Sequence, residues 1–376
     1  MRLRDFKNEY LNLINSKKKK NFLASIIFFI LQLLSYLFLF GWWIKKVSYR
    51  TRMFKKLKLS CPVISIGNLT TGGTGKTPLV IKLATHFTNA GKRVAILTRG
   101  YGRSQKLSEI VWVSNGKEIL ATPAESGDEA VLIAKKVPQA AVVVGHNRYV
   151  VGKEVIQKFN PDLIILDDGF QRRFNLHRNL DILLIDALNP FSSGYVLPAG
   201  LLREPMQCLS EANVIILNKV DLISNAQDIK TIIESYNSRA YLMESVYRPV
   251  ALKNVLTGEK IKPDDLDDHS VGVFSGIANP LSFIRTLEQF HILVQHAYHF
   301  KDHYTYSKEK LLEIVQDVKK HGVTHLITTE KDLVKIPLDE NYGIPILVLE
   351  IELEIFKGKT RWENILKNII LMCSNS

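Results

Sequence analysis

Between residues 61 and 218 the chain alternates short runs of Val, Ile and Leu with stretches whose apolar residues recur every third or fourth position. The runs at 63–67, 93–98, 141–145, 163–167, 182–186 and 214–218 are almost continuously apolar, as strands buried on both faces must be. The periodic stretches at 78–90, 129–136 and 148–159 read as the helices between them. This order predicts a parallel sheet flanked by helices. From about 240 to 270 the periodicity lapses into "RPVALKNVLTGEKIKPDDLDDHS", which predicts a linker with hairpin character. A second alternating set then follows, with strands at 271–274, 292–300, 324–328 and 345–350 and helices near 280–289 and 308–320.

One run breaks the pattern. Residues 22–43, "FLASIIFFILQLLSYLFLFGWW", carry Gln32 as their one strongly polar side chain, and Trp42 and Trp43 stand where an aromatic belt would lie. The length suits a bilayer span, while a cleavable signal is disfavoured because no small-residue cleavage site follows. Lys17 to Lys20 precede the run, and Lys45, Lys46, Arg50, Arg52, Lys55, Lys56 and Lys58 follow it. A full span would put one basic cluster on the far side, against the positive-inside tendency, so an anchor confined to one leaflet is equally open.

With 376 residues the chain exceeds a single core, and five segments are expected. These are a basic segment at 1–20, a membrane-anchoring helix at 21–43, a first α/β domain at 44–245, the linker at 246–270 and a smaller α/β domain at 271–376. The net charge of +13 is local: the first 60 residues hold 14 Lys and Arg against 2 Asp and Glu, which leaves 36 against 35 elsewhere. That points to a membrane surface with anionic lipids and away from nucleic acid. Cys61, Cys208 and Cys373 are widely spaced, which suggests neither a disulfide framework nor a zinc site.

The candidate chemistry begins at "GNLTTGGTGKT", residues 67–77. A strand leads in and a helical pattern leads out, the setting of a phosphate-binding loop. Thr70, Thr71, Gly72, Gly73, Thr74 and Gly75 would offer backbone N–H groups, Lys76 would reach the β- and γ-phosphates, and the Thr77 hydroxyl would ligate magnesium. Thr70 stands where that motif has its first glycine. A carboxylate at another strand end should serve the metal, and "LIILDDGF" supplies Asp167 and Asp168.

Other motifs admit two readings. In "ESGDEAVLIAKK", Asp128 either caps a helix or accepts a proton from an attacking hydroxyl. "HFKDHY" puts Asp302 and His303 at a strand end, where they are surface residues or face a cleft. Arg203 of "LPAGLLREP" is a solvated loop arginine or a clamp for a transferring phosphoryl group. "TRGYGR" forms a turn or offers Arg99, Tyr101 and Arg103 to an anionic substrate. "NKVD", Asn218 to Asp221, matches the signature by which GTPases read guanine and supports an alternative, a membrane-associated P-loop GTPase or nucleotide switch.

In order along residues 61–332, "GNLTTGGTGKTP", "TRGYGR", "GDEA", "LDDGFQ", "LPAGLLREP", "FSGIANP", "FKDH" and "TTEKD" resemble the tetraacyldisaccharide 4'-kinase family of lipid A biosynthesis. The resemblance implies a P-loop NTPase-like parallel-sheet domain, a second smaller α/β domain and an N-terminal hydrophobic membrane helix. The activity it implies moves the γ-phosphate of ATP, with Mg2+, to the 4'-hydroxyl of a tetraacylated glucosamine disaccharide 1-phosphate at the cytoplasmic face of the bacterial inner membrane. It makes Asp128 the general base assisted by His303, gives Lys76 and Thr77 to the nucleotide, Asp167 and Asp168 to the metal and Arg203 to the phosphoryl group. Glu129 would also serve the metal site, with Gln171 beside it. The chain departs from the family's usual motifs at Arg172, where histidine is common, and at Ala130, where proline is common.

Overall fold

A computed structural model describes residues 22–51, 53–101, 103, 109–266, 269–337 and 341–374. The basic segment 1–20, with Lys17 to Lys20, lies outside the described residues. Helix α1 (Phe22–Arg50) is followed by β1 (Val63–Asn68), α2 (Lys76–Asn89), β2 (Val94–Thr98), β3 (Val111–Asn115), α3 (Asp128–Lys136), β4 (Ala141–Val144), α4 (Arg148–Phe159), β5 (Leu163–Leu166), β6 (Leu180–Asp186) and β7 (Val214–Asn218). Then come α5 (Gln227–Tyr236), β8 (Tyr241–Asn254), β9 (Lys260–Ile261), β10 (Val271–Ser275), α6 (Pro280–Glu288), β11 (Val294–His299), α7 (Lys308–Lys320), β12 (His325–Thr329), β13 (Ile346–Lys357) and α8 (Lys359–Ser374).

Among the described residues the strands form one sheet, in the order β11-β10-β12-β13-β8-β7-β6-β1-β5-β2-β4-β3, with β9 on the side of β8. It is parallel except where β3 meets β4, β8 meets β13 and β9 meets β8. The expected linker at 246–270 therefore holds most of a 14-residue strand, and the expected hairpin is the β8–β9 pair. β8 and β13 run antiparallel from Asn254 opposite Leu347 to Glu244 opposite Lys357, a long ribbon that joins the two strand sets. The apolar runs alone did not reveal it, because β8 and the end of β13 are only partly buried and carry many charges.

Helices α2, α3 and α8 cover one face of the first strand set. Leu79, Leu83 and Phe87 of α2 meet Val131 and Ile133 of α3 and Trp362, Ile365 and Ile369 of α8 in one cluster. Residues 271–376 were expected as a unit, yet α8 packs on the core of the first strand set. Its apolar stripe at 362, 365, 366 and 369 has the helical spacing that requires such a partner. Truncating the nearly buried Trp362 to Ala should cost about 3–5 kcal/mol.

Helix α1 extends seven residues beyond the expected end at 43. It does not leave the body: Phe28 packs edge-on to Tyr195, Leu39 and Trp42 join the core beneath β6 and β7, and Lys46 pairs with Glu211 at 3.3 Å. Ser35 is buried, its hydroxyl donating to Val196 O and accepting from Ala199 N, both at 2.9 Å. The opposite face, including Ile26, Ile30, Leu33, Leu37 and Phe40, is exposed.

Candidate active site

The site lies beyond the carboxyl ends of β1, β5 and β2. After β1 the chain passes to β2 on one side, and after β5 it passes to β6 on the other, a reversal that opens a crevice. The loop after β1 explains its missing glycine. Thr70 bridges antiparallel to Leu202, Thr71 N donates to Leu201 O at 2.8 Å and Arg203 N donates to Leu69 O at 2.7 Å. Position 70 is thus paired backbone with negative φ, where a β-branched residue is at home. The left-handed positions fall later, at Gly72 (φ 122°) and Gly75 (φ 98°). Gly75 is irreplaceable on space as well, since a Cβ there would lie 2.2 Å from the Tyr247 hydroxyl and 2.4 Å from Asn218 Nδ2. Helix α2 starts at Lys76, so its free N–H groups face the crevice as an anion cradle.

The "NKVD" residues brace this loop. Asn218 is fully buried, and its amide donates to Thr74 O and to the Tyr247 hydroxyl, both at 3.1 Å, while its oxygen accepts from Ser245 at 2.9 Å. Buried Lys219 pairs with Asp186 at 2.6 Å and lies 3.4 Å from Gly73 O. Asp221 is exposed.

The turn after β5 carries the carboxylates. Asp167 is buried and accepts from the Thr98 hydroxyl at 2.9 Å. Burial, and then the nearby carboxylates of Glu129 and Asp168, push it up to about 6. Asp168 sits at φ 52°, a strained conformation for a non-glycine residue. Arg203 grips it in a fork at 2.8, 3.0 and 3.0 Å, and Lys76 Nζ lies 3.6 Å away. Burial pushes Asp168 up, but Lys76 and Arg203 outweigh it and hold this carboxyl far below the usual range. Gln171 donates to Asn68 O at 2.7 Å and ties the turn to β1. Buried Arg148, which the sequence showed only as a helix member, donates to Thr98 O at 2.6 Å and Asp167 O at 3.2 Å and to Gly145 O.

From the first strand set, Asp128 opens α3. Gly127 before it has φ 91° and would press a Cβ to 2.6 Å from Tyr101 O. From the second set, the turn after β11 brings His303, at φ 64°, against it: His303 Nδ1 lies 2.8 and 2.9 Å from the two carboxylate oxygens of Asp128. Burial pushes Asp128 up, yet the His303 hydrogen bond and the charges of Lys331, His303 and Lys335 prevail and hold it below its ordinary value. Lys331 Nζ is 3.0 Å from Glu129, 3.0 Å from Asp302 and 3.4 Å from His303 Nε2, and Lys335 Nζ is 3.4 Å from Asp128. Fully buried Asp332 fixes the turn that carries both lysines, accepting from Gly276 N, the Tyr306 hydroxyl and Thr329 Oγ1. Sequence reasoning assigned no role to Lys331 or Lys335. The quoted "TTEKD" contained the first of them.

The two walls enclose a cleft of about 940 Å³, with residues 71–77, Asp168 and Arg203 on one side and Asn279, Asp302, His303 and Lys331 on the other. Thr71 to Thr77, Arg99, Tyr101, Glu129, Asp167, Asp168, Arg203, Asp302 and His303 line it, whereas Thr70, Arg103, Gln171, Asn218 and Asp221 do not, and Asp128 reaches it through His303. Among the described residues no group of three or more His, Cys, Asp or Glu side chains forms a metal cage.

The family model described as tetraacyldisaccharide-1-P 4'-kinase matches residues 27–371. The chain belongs to this family. It is 36% identical over 320 residues to the tetraacyldisaccharide 4'-kinase of Syntrophus aciditrophicus, covering 83% of this chain and 85% of that one. It is 34% identical over 361 residues to that of Halothermothrix orenii, covering 92% and 93%. Among solved structures, it is similar to the "apo" form of LpxK from Aquifex aeolicus in complex with ATP, with a TM-score of 0.69, 30% identity and coverage of 90% and 97%.

The two departures from the 4'-kinase family's motifs fall in different settings. Ala130 is buried in the core beside α2, where a small apolar residue fits. Arg172 is half-buried, with Nη2 at 3.4 Å from His146 Nε2. Burial and the charges of Arg99 and Arg203 push its guanidinium down, partly offset by Asp168.

Proposed function

We infer that the protein is a kinase that transfers the γ-phosphate of ATP to the 4'-hydroxyl of a tetraacylated glucosamine disaccharide 1-phosphate in lipid A biosynthesis. One observation carries this beyond family membership: His303, from the second strand set, faces the phosphate loop and Lys76 across one cleft while hydrogen-bonded to Asp128 of the first set.

Phosphoryl transfer through a loose transition state asks the protein for position and charge rather than covalent chemistry. The loop amides, the α2 N-terminus and Lys76 hold the phosphates. Arg203, half-buried and already paired with an anion, is placed to meet the charge on the transferring group. Asp128, ionised throughout the neutral range, takes up the 4'-hydroxyl proton late in the transfer by way of His303, which stands between it and the cleft. His303 orients it, and Lys331 and Lys335 keep it charged.

The donor set suits a hard divalent cation, because Thr77 and Asp167 offer oxygen only and, among the described residues, no cationic side chain is bonded directly to the Asp167 carboxylate. Thr77 and Asp167 would hold Mg2+, which would supply neutralisation of the β- and γ-phosphate oxygens. Asp168 and Glu129 are engaged by cations, Arg203 and Lys331, and fit supporting roles.

The substrate's acyl chains place the reaction at a bilayer, and α1 is suited to hold the enzyme there on the cytoplasmic side, where ATP is. Its contacts with the body run from Phe28 to Tyr49. Upright in a bilayer, α1 would carry the irregular 195–199 backbone into hydrocarbon, which lipid-exposed loops do not tolerate. An anchor lying in one leaflet, with the exposed Arg50, Lys55 and Lys58 at anionic head groups, fits the docked helix. The test is transfer of labelled γ-phosphate from ATP to the lipid disaccharide, with GTP as competitor. Label on the lipid that ATP displaces and GTP does not is the expected result, and ATP hydrolysis indifferent to the lipid would overturn it.

A further inference from the structure

Two ion pairs bridge the same two segments, and only one of them faces the cleft. Asp168 and Arg203 form the first. Immediately behind it, Arg173 donates to Glu204, both nearly fully buried. Arg173 is held on every side, between the rings of Phe170 (4.6 Å) and Phe174 (4.5 Å), with Glu211 Oε2 at 2.5 Å, Cys208 Sγ at 3.0 Å and Phe170 O at 3.2 Å. The remaining oxygen of Glu204 accepts from the indole N–H of Trp42, on the anchor helix, at 3.3 Å. Trp42 and Tyr49 of that helix also pack on Phe174, with ring centroids at 6.3 and 6.1 Å.

A buried carboxylate that loses one of its donors is left under-satisfied and shifts to recover a partner. Glu204 follows Arg203 directly in the chain, so any backbone adjustment at Glu204 passes to Arg203, the group that forks onto Asp168 beside Lys76. We propose that Trp42 and Glu204 are positioning residues through which the seating of the anchor helix sets the Arg203–Asp168 pair, so that phosphoryl transfer depends on a docked helix. This rests on the reading of Arg203 as a phosphoryl clamp.

The test uses the full chain in vesicles of phosphatidylethanolamine and phosphatidylglycerol, comparing Trp42→Phe, Glu204→Gln and the double variant. The Phe variant removes the N–H but keeps an aromatic ring on Phe174. Each single variant should lower kcat about tenfold, with the lipid KM, ATP affinity and vesicle flotation unchanged. The double variant should fall no further than the worse single one, because both act through one path. Unchanged kcat in Trp42→Phe, losses that multiply in the double variant, or a loss confined to the lipid KM would each overturn the proposal. If Glu204→Gln does not fold, the division between kcat and KM in Trp42→Phe decides. Failure of the unmodified protein to label the lipid in the same assay would instead remove the functional reading.

Discussion

His303 Nδ1 lies 2.8 Å from Asp128 Oδ1, although the two residues are 175 positions apart and belong to different strand sets. The contact closes the cleft on the side opposite the phosphate loop, and it exists only if the β8–β13 ribbon holds the two sets in register. Replacing Asp128 with Asn should therefore lower kcat about 100- to 10,000-fold while ATP affinity stays within a few-fold, as steady-state kinetics and calorimetry would show. A kcat within a few-fold of the parent would remove Asp128 as the base.

Lys331 neutralises Glu129 and Asp302 and helps to hold Asp128 below its ordinary value. In Lys331→Ala the Asp128 carboxyl should rise, since its charged form loses a stabilising cation. NMR titration of the Asp128 carboxyl should show its protonation moving to higher pH, accompanied by a lower kcat at neutral pH. An unmoved titration would show that Lys331 acts on the cleft in another way.

Asp167, pushed up to about 6 by burial and neighbouring carboxylates, predicts a fall in kcat/KM as pH drops through that region. A cation binds the ionised form, so raising magnesium should move this limb to lower pH. Profiles that superimpose at all magnesium concentrations would assign the limb to a different group.

The buried Asn218 and Lys219 support the loop from beneath. Asn218→Ala should weaken ATP binding about tenfold by leaving Thr74 O unpaired. Asp221→Ala, at an exposed position, should leave the preference for ATP over GTP unchanged. A loss of GTP competition in the Asp221 variant, with ATP use kept, would restore a base-reading role to this motif.

Gly75→Ala should prevent the loop from closing on Tyr247 and Asn218, with a strain of about 1–3 kcal/mol in a left-handed position. Thermal melting should fall by several degrees and ATP binding should weaken at least tenfold. An unaffected melting point would mean that the loop relaxes without cost.

The sequence by itself determined what depends on neighbours along the chain. Strand runs such as 163–167 and helices such as 308–320 were legible because burial on one side or both imposes a period on consecutive residues. The same locality made "GNLTTGGTGKT" readable, since strand, loop and helix N-terminus are contiguous. Thr70 looked anomalous only because its pairing partner, Leu202, lies on a loop more than a hundred residues away.

The tertiary structure decided whatever depends on groups brought together from afar. Lys331 reaches Glu129 across 202 positions, and nothing in its local context distinguishes it from a solvated lysine. "NKVD" looked like a base reader because its four letters carry no record of Thr74 or Asp186. The apolar run could be recognised from hydropathy, but only its docked stripe, with Ser35 buried and Trp42 on Glu204, distinguishes a helix laid along the enzyme from one that leaves it. Local periodicity fixes which elements form and which faces are apolar. Which charged groups end up sharing a low-dielectric site is set by the packing of those elements, and that packing gives Asp128, Asp167 and Asp168 three different environments.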